Sequence, residues 1–137
     1  MLKEDYIMRL FQLFNESLAK WLSKRKADNS EWIVSYNNEV VKPYLDQNIE
    51  FFETKEKDTL IEYFQKTYVN EQERFSRLEI LAEALFQRAM MMNETIRQRK
   101  IFSLTLELLL YVHSIDKTYS VAREYRMEEL QRIIQVS

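Results

Sequence analysis

The sequence predicts an all-α protein with about five to six helices, packed as antiparallel helical hairpins. Its 137 residues include no glycine and a single proline, Pro43, although average usage would supply about ten glycines. Hairpin turns and β-bulges rely on glycine for backbone conformations with positive φ, so a β-rich chain without glycine is improbable. Apolar residues also recur at three- and four-residue spacing along most of the chain, which is the period of an amphipathic helix.

The first predicted helix covers residues 4–26. Its apolar face comprises Ile7, Leu10, Phe11, Phe14, Leu18, Trp21 and Leu22. Basic residues crowd its last turns, where the helix dipole favours cations. A second helix is predicted to start near Glu31. Pro43 is expected to end or kink that helix, because the residue before a proline is disfavoured in the helical conformation.

The middle of the chain has a less regular pattern. Residues 44–52 are expected to form a loop with one or two helical turns, and Asp58 or Thr59 is predicted to cap a third helix. Residues 71–92 are predicted to form a fourth helix. Its apolar side comprises Phe75, Leu78, Leu81, Ala82, Leu85, Phe86 and Ala89.

The fifth predicted helix, residues 95–113, is the most apolar part of the chain. It is apolar nearly all round between Leu104 and Val112, which is typical of a helix packed between neighbours. The sequence therefore predicts that this helix lies at the centre of the core. A final helix is predicted over residues 120–135.

No linker, low-complexity stretch or change of composition divides the chain. A single helical domain is therefore predicted over residues 1–137. This predicted domain comprises N-terminal helices in residues 1–70, and a helical hairpin followed by a C-terminal helix in residues 71–135.

Composition argues against several classes of function. The formal net charge of −2 gives no global basic field for nucleic acid. No apolar run approaches the length of a transmembrane helix, so no membrane insertion is expected. A chain without glycine cannot form a glycine-rich phosphate loop, and a chain without cysteine and with one histidine lacks zinc-ligand patterns. We therefore expect no catalytic, cofactor-binding or metal-binding residues, and we expect a cytoplasmic location.

Two titratable features are interpreted as structural. His113, at the end of the most apolar helix, is expected to be partly buried or to act as a cation near the helix C-terminus. Glu79 and Glu83 lie four residues apart on one helix face, and a solvated face is expected for them rather than acid–base chemistry.

A basic cluster is the most unusual surface feature. Arg97, Arg99 and Lys100, with Arg88 nearby, crowd the start of a helix, where the dipole disfavours cations. The cluster indicates either an anionic partner or simply a polar turn. A neighbouring run of three methionines suits an adaptable binding surface or core filling. The candidate interaction surface comprises Arg88, Met91, Arg97, Arg99, Lys100, Tyr111, Tyr119 and Arg123.

Two segments resemble a family of short bacterial proteins that is defined only as a domain of unknown function. Residues 3–10 read Lys-Glu-Asp-Tyr-Ile-Met-Arg-Leu and are similar to the opening of that family. Residues 106–112 read Leu-Glu-Leu-Leu-Leu-Tyr-Val. Together with residues 117–120, Lys-Thr-Tyr-Ser, and Arg123, they are similar to its C-terminal end.

The resemblance implies a divergent tetratricopeptide-like hairpin (TPR-like) in the second half of the chain, as part of an α–α superhelix or bundle. Four residues match the spacing of the first helix of such a repeat: Leu78, Leu81, Ala82 and Leu85. Phe102 and Thr105 match the large and small positions of the second helix.

Three functional hypotheses remain open at this stage. The first is a non-catalytic helical module that binds an as yet unidentified protein. The second is a structural homo-oligomer such as a homodimer, since the first and fifth helices both carry excess apolar surface. The third is a small-ligand binder or enzyme whose pocket is lined by tyrosine and arginine. The residues considered for that pocket are Tyr111, Tyr119, Arg123 and Tyr125.

Overall fold

The computed structural model describes residues 2–25, 32–118 and 120–136. Within these ranges the chain forms helices and no strands, which confirms the predicted all-α class. The helices are α1 (Leu2–Lys24), α2 (Trp32–Tyr36), α3 (Lys42–Leu45), α4 (Ile49–Glu53), α5 (Lys57–Thr67), α6 (Glu71–Met90), α7 (Thr95–Ile115) and α8 (Val121–Val136), with a π-helical turn (Asn37–Val41) between α2 and α3.

Helix α6, rather than α7, lies at the centre of the core. It buries ten residues and contacts α1, α3, α4, α5, α7 and the π-helical turn. The prediction that placed the fifth helix there is wrong. Helix α7 keeps a solvent-facing side, on which Leu110 is 43% exposed. Apolar residues all round α7 are explained by contacts with α6 and α8 on two sides and by uncovered apolar residues on a third.

The starts of α6 and α7 follow from their caps. The side chain of Asn70 accepts a hydrogen bond from the Glu73 N–H at 2.9 Å. The carboxylate of Glu94 accepts from the N–H groups of Ile96 and Arg97 at 3.0 and 2.9 Å. Each cap satisfies backbone donors that have no partner within the helix. The four residues 91–94 between the end of α6 and the start of α7 turn the chain back, so α6 and α7 form an antiparallel hairpin.

Pro43 does not end the second helix. The helix widens into the π-helical turn, in which the Lys42 N–H donates to the carbonyl of Asn37. Pro43 then occupies the first turn of α3, where its missing N–H costs no helical hydrogen bond. The helical path ends instead at Asp46, whose φ of 66° is left-handed.

Short helices α4 and α5 pack through aromatic rings. The rings of Phe52 and Phe64 lie 6.0 Å apart, and both side chains are fully buried. Helix α5 starts at Lys57 without a side-chain cap, one residue before the predicted cap at Asp58. This packing holds the end of α4, and with it Glu53, against α6.

No helix among the described residues is both long enough and apolar enough to cross a membrane.

Tyr36 provides a test of this packing. Its side chain is fully buried, and its hydroxyl donates to the carbonyl of Ala84 in α6 at 2.6 Å. Burial raises the pKa of this hydroxyl above its ordinary value, which further favours its protonated, donating form. We expect Tyr36→Phe to lower the free energy of unfolding by about 1–2 kcal/mol in urea, because the Ala84 carbonyl loses its side-chain donor. Tyr125→Phe is the matched control, since Tyr125 is 62% exposed. Equal losses in the two variants would contradict a stabilising role for the bond.

Candidate functional site

The predicted basic cluster has an internal anionic partner. Glu53, at the end of α4, has a side chain that is only 2% exposed. Its carboxylate accepts from Arg88 Nε and from Arg97 Nη2, both at 2.7 Å. The Arg88 guanidinium also lies 5.3 Å from the centre of the Trp32 ring. Two of the four clustered cations, Arg88 and Arg97, therefore have an ion-pair partner within the molecule.

Glu53 was not among the residues predicted from the sequence. It lies 35 and 44 residues away from its two arginine partners, and no local pattern links positions so far apart. The only signal was indirect, namely the excess of cations at the start of a helix.

A polar cleft of about 670 Å³ lies beside Glu53, between the start of α5 and α7. Its lining includes the cations Lys55, Lys57, Arg97 and Lys100 and the carboxylates Glu53, Glu56, Asp58 and Glu107. Because equal numbers of positive and negative side chains line it, the cleft offers no net field for a charged ligand.

Arg123 is part of a second buried cluster, distant in sequence from the first. Its side chain is 1% exposed. Nη1 contacts the carboxylates of Glu79 and, at 3.2 Å, of Asp116, and Nη2 donates to the carbonyl of Thr118 at 2.8 Å. These bonds fix α8 and the α7–α8 connection against α6.

Burial raises the pKa of the Glu79 carboxyl above its ordinary value of 4.5. The attraction of Arg123 opposes that shift, and the nearby Asp116 carboxylate adds to it.

The expectation that Glu79 and Glu83 form a solvated face is wrong. Their side chains are 13% and 12% exposed, and each is paired with an arginine of α8. Glu83 accepts from Arg126 Nε at 2.9 Å, and the Arg126 guanidinium lies 3.8 Å from the centre of the Phe86 ring. Glu79 pairs with Arg123, and Glu83, further along α6, pairs with Arg126, further along α8. Because both helices advance in the same direction from one pair to the next, α8 runs parallel to α6.

A groove of about 520 Å³ lies between the first half of α7 and the end of α8. We call it the α7–α8 groove, and it is lined by Arg99, Lys100, Phe102, Ser103, Ile133 and Ile134. Phe102 is buried, the two isoleucines are half-buried, and both cations are exposed. Among the described residues that line it, none carries a carboxylate.

The predicted interaction surface is thus divided between several places. Arg99 and Lys100 border the α7–α8 groove, whereas Met91 and Tyr111 are half-buried and pack against the core. Tyr119 lies outside the described residues.

The residues considered for a ligand pocket do not converge. Arg123 is 3% exposed, whereas Tyr125, two residues later on the same helix, is 62% exposed. His113 is exposed near the end of α7. Among residues 2–25, 32–118 and 120–136, no group of three or more His, Asp or Glu side chains is placed to hold a metal ion.

Comparison with known proteins finds no matching family model, no matching curated protein and no matching solved structure. Function is therefore inferred from the side chains described above.

Removal of the buried carboxylate at Glu53 is expected to destabilise the fold. We expect Glu53→Gln to lower the free energy of unfolding by about 3 kcal/mol, because the largely buried Arg88 loses its counter-charge. Arg97→Gln removes a partner of the same carboxylate, but its side chain is 54% exposed. Its loss is therefore expected to cost less than about 1 kcal/mol. Urea unfolding of both variants measures the contrast, and a similar cost for both would show that Arg88 gains little from Glu53.

The raised pKa of Glu79 predicts an unusual pH dependence. A carboxyl whose pKa is higher in the folded than in the unfolded chain binds its proton more readily when folded. Its stabilising contribution is complete below the ordinary value of 4.5 and is lost as pH rises through the folded pKa. NMR titration of the Glu79 carboxyl carbon, assigned by comparison with Glu79→Gln, measures this directly. A midpoint at or below 4.5 would mean that attraction to Arg123 outweighs burial.

Proposed function

We propose that the chain is a non-catalytic protein–protein interaction module that binds its partner in the α7–α8 groove. The observation that carries this proposal is the contrast between the groove and the other charged places of the fold. Glu53, Glu79 and Glu83 each pair with arginine inside the molecule. In the part of the chain that the structure describes, Arg99 and Lys100 form no ion pair and border an apolar floor.

The groove has the make-up of a small interface. Phe102, Ile133 and Ile134 form an apolar centre, and the polar residues stand at its edge. Interfaces commonly combine a desolvated apolar centre with a polar rim that stays in contact with water. The cleft beside Glu53 also has apolar lining residues, Ile101 and Leu104, but charged side chains of both signs make up most of its lining, and it is therefore the weaker candidate.

We also propose that the module is a divergent TPR-like unit, and this proposal rests on the family resemblance. The matched positions Leu78, Leu81, Ala82, Leu85, Phe102 and Thr105 are all buried. The hairpin of α6 and α7, followed by α8 parallel to α6, supports an arrangement in which α8 opens a second unit.

A homodimer is the second candidate, and one feature of α7 favours it. Ile96 and Leu110 are 68% and 43% exposed. They lie fourteen residues apart on one outer face of α7, which is two seven-residue steps, with the polar Ser103 midway between them. A seven-residue spacing lets two helices pack side by side, so a second copy would meet this face through a two-fold axis.

A photo-crosslinking amino acid at Ser103 tests both candidates. Ser103 is exposed and borders the groove. We expect irradiation in a lysate of the source cells to attach one defined protein to this position. An adduct of twice the chain mass of 16.8 kDa would instead identify the homodimer.

The matched control carries the same amino acid at Ala19, an exposed small residue on α1. A partner that attaches equally at both positions binds without using the groove, and the absence of any adduct at Ser103 would overturn the proposal.

A further inference from the structure

We infer that the segment that fills the α7–α8 groove is an acidic amphipathic helix of another protein. This inference rests on the proposed function and adds the chemistry of the partner. It follows from three properties of the groove: its unpaired positive charge, the helical walls on both sides, and an apolar floor of limited size.

The charge of the groove is what remains after the internal pairs are formed. Arg88 and Arg97 share Glu53 as their counter-charge, whereas Arg99 and Lys100 have no ion-pair partner among the described residues. Lys100 also borders the polar cleft, where carboxylates are present, but Arg99 borders the groove alone. A carboxylate-bearing partner complements this rim, while a basic partner would be repelled by it.

The walls of the groove determine the secondary structure of the occupant. Both walls are α-helices, so most of their backbone donors and acceptors are used within each helix, apart from the carbonyls in the last turn of α8. The described residues contain no strand edge that could pair with an extended peptide. A segment that buries its backbone here must therefore satisfy its own hydrogen bonds, and a helix does so.

The apolar floor sets the pattern of anchors. Phe102 comes from α7 and the two isoleucines from α8, so the floor is a strip between two helices rather than a deep hole. A volume of about 520 Å³ admits a few aliphatic side chains from one face of a docked helix. Anchors spaced three and four residues apart would fit this strip, as in other helix-in-groove interfaces.

Three fluorescein-labelled peptides of about 16 residues test the inference, since this length supports a helix. The first has leucine at positions i, i+3, i+4 and i+7, glutamate at a few of the remaining positions and alanine elsewhere, because alanine favours the helix and closely spaced glutamates repel one another. The second replaces every glutamate by lysine, and the third places a proline in the centre of the acidic peptide. Anisotropy titrations with the full chain are expected to show that the acidic helix binds at least about tenfold more tightly than either of the others.

Two double variants locate the binding. Arg99→Glu with Lys100→Glu is expected to weaken the acidic peptide at least about tenfold and to strengthen the lysine peptide. Lys20→Glu with Lys24→Glu changes the net charge of the chain by the same amount at exposed positions of α1. This control should leave the preference for the acidic peptide unchanged.

Each alternative outcome overturns a defined part of the inference. Equal binding of the acidic and lysine peptides removes the charge preference, and equal binding of the proline peptide removes the helical partner. If none of the three peptides binds, the inference fails as a whole. The cross-link at Ser103 decides the proposed function separately, because it requires no assumption about the chemistry of the partner.

Discussion

Helix α6 is enclosed by other helices, and most of the charges along its buried length are matched by groups from elsewhere in the chain. Glu79 and Glu83 accept from α8, and Arg88 donates to Glu53 in α4. Arg77 pairs with Glu73 within α6 and also donates to the carbonyl of Tyr44 in α3. A buried charge without a partner costs several kcal/mol. Each of these contacts with another helix therefore penalises any arrangement in which α3, α4 or α8 is displaced from α6.

The need to match the buried charges of α6 also determines which side of α7 stays uncovered. Because Arg123 and Arg126 hold α8 parallel to α6, α7 packs against both helices and keeps one side uncovered. The α7–α8 groove opens at the far end of α8, beyond the last of these ion pairs. The charged residues nearer α6 are held in ion pairs within the fold. Arg99 and Lys100, which border the groove, have no ion-pair partner among the described residues.

The sequence carried enough information for the class and for most helices. The predicted starts of the fourth and fifth helices, residues 71 and 95, match the observed ones, because the apolar periodicity that marks a helix is a local signal. Local signals do not report which residues meet across the fold. The centre was assigned to α7 because that helix has the most apolar sequence, yet burial depends on how many neighbours surround a helix. The partners of Glu79 and Glu83 lie more than 40 residues away, beyond the reach of any helical periodicity.

Asp46 shows a balance between backbone strain and a side-chain contact. It is the only non-glycine residue with positive φ among the described residues, and this conformation costs a residue with a Cβ atom roughly 1 kcal/mol. A glycine would avoid that cost, but it could not accept the hydrogen bond that the Tyr68 hydroxyl donates to Asp46 Oδ2 at 3.1 Å. That bond is worth about the same amount. Although the chain contains no glycine, having aspartate rather than glycine at position 46 therefore changes the stability of the fold very little. What the aspartate adds is a hydrogen bond that links the end of α3 to the end of α5.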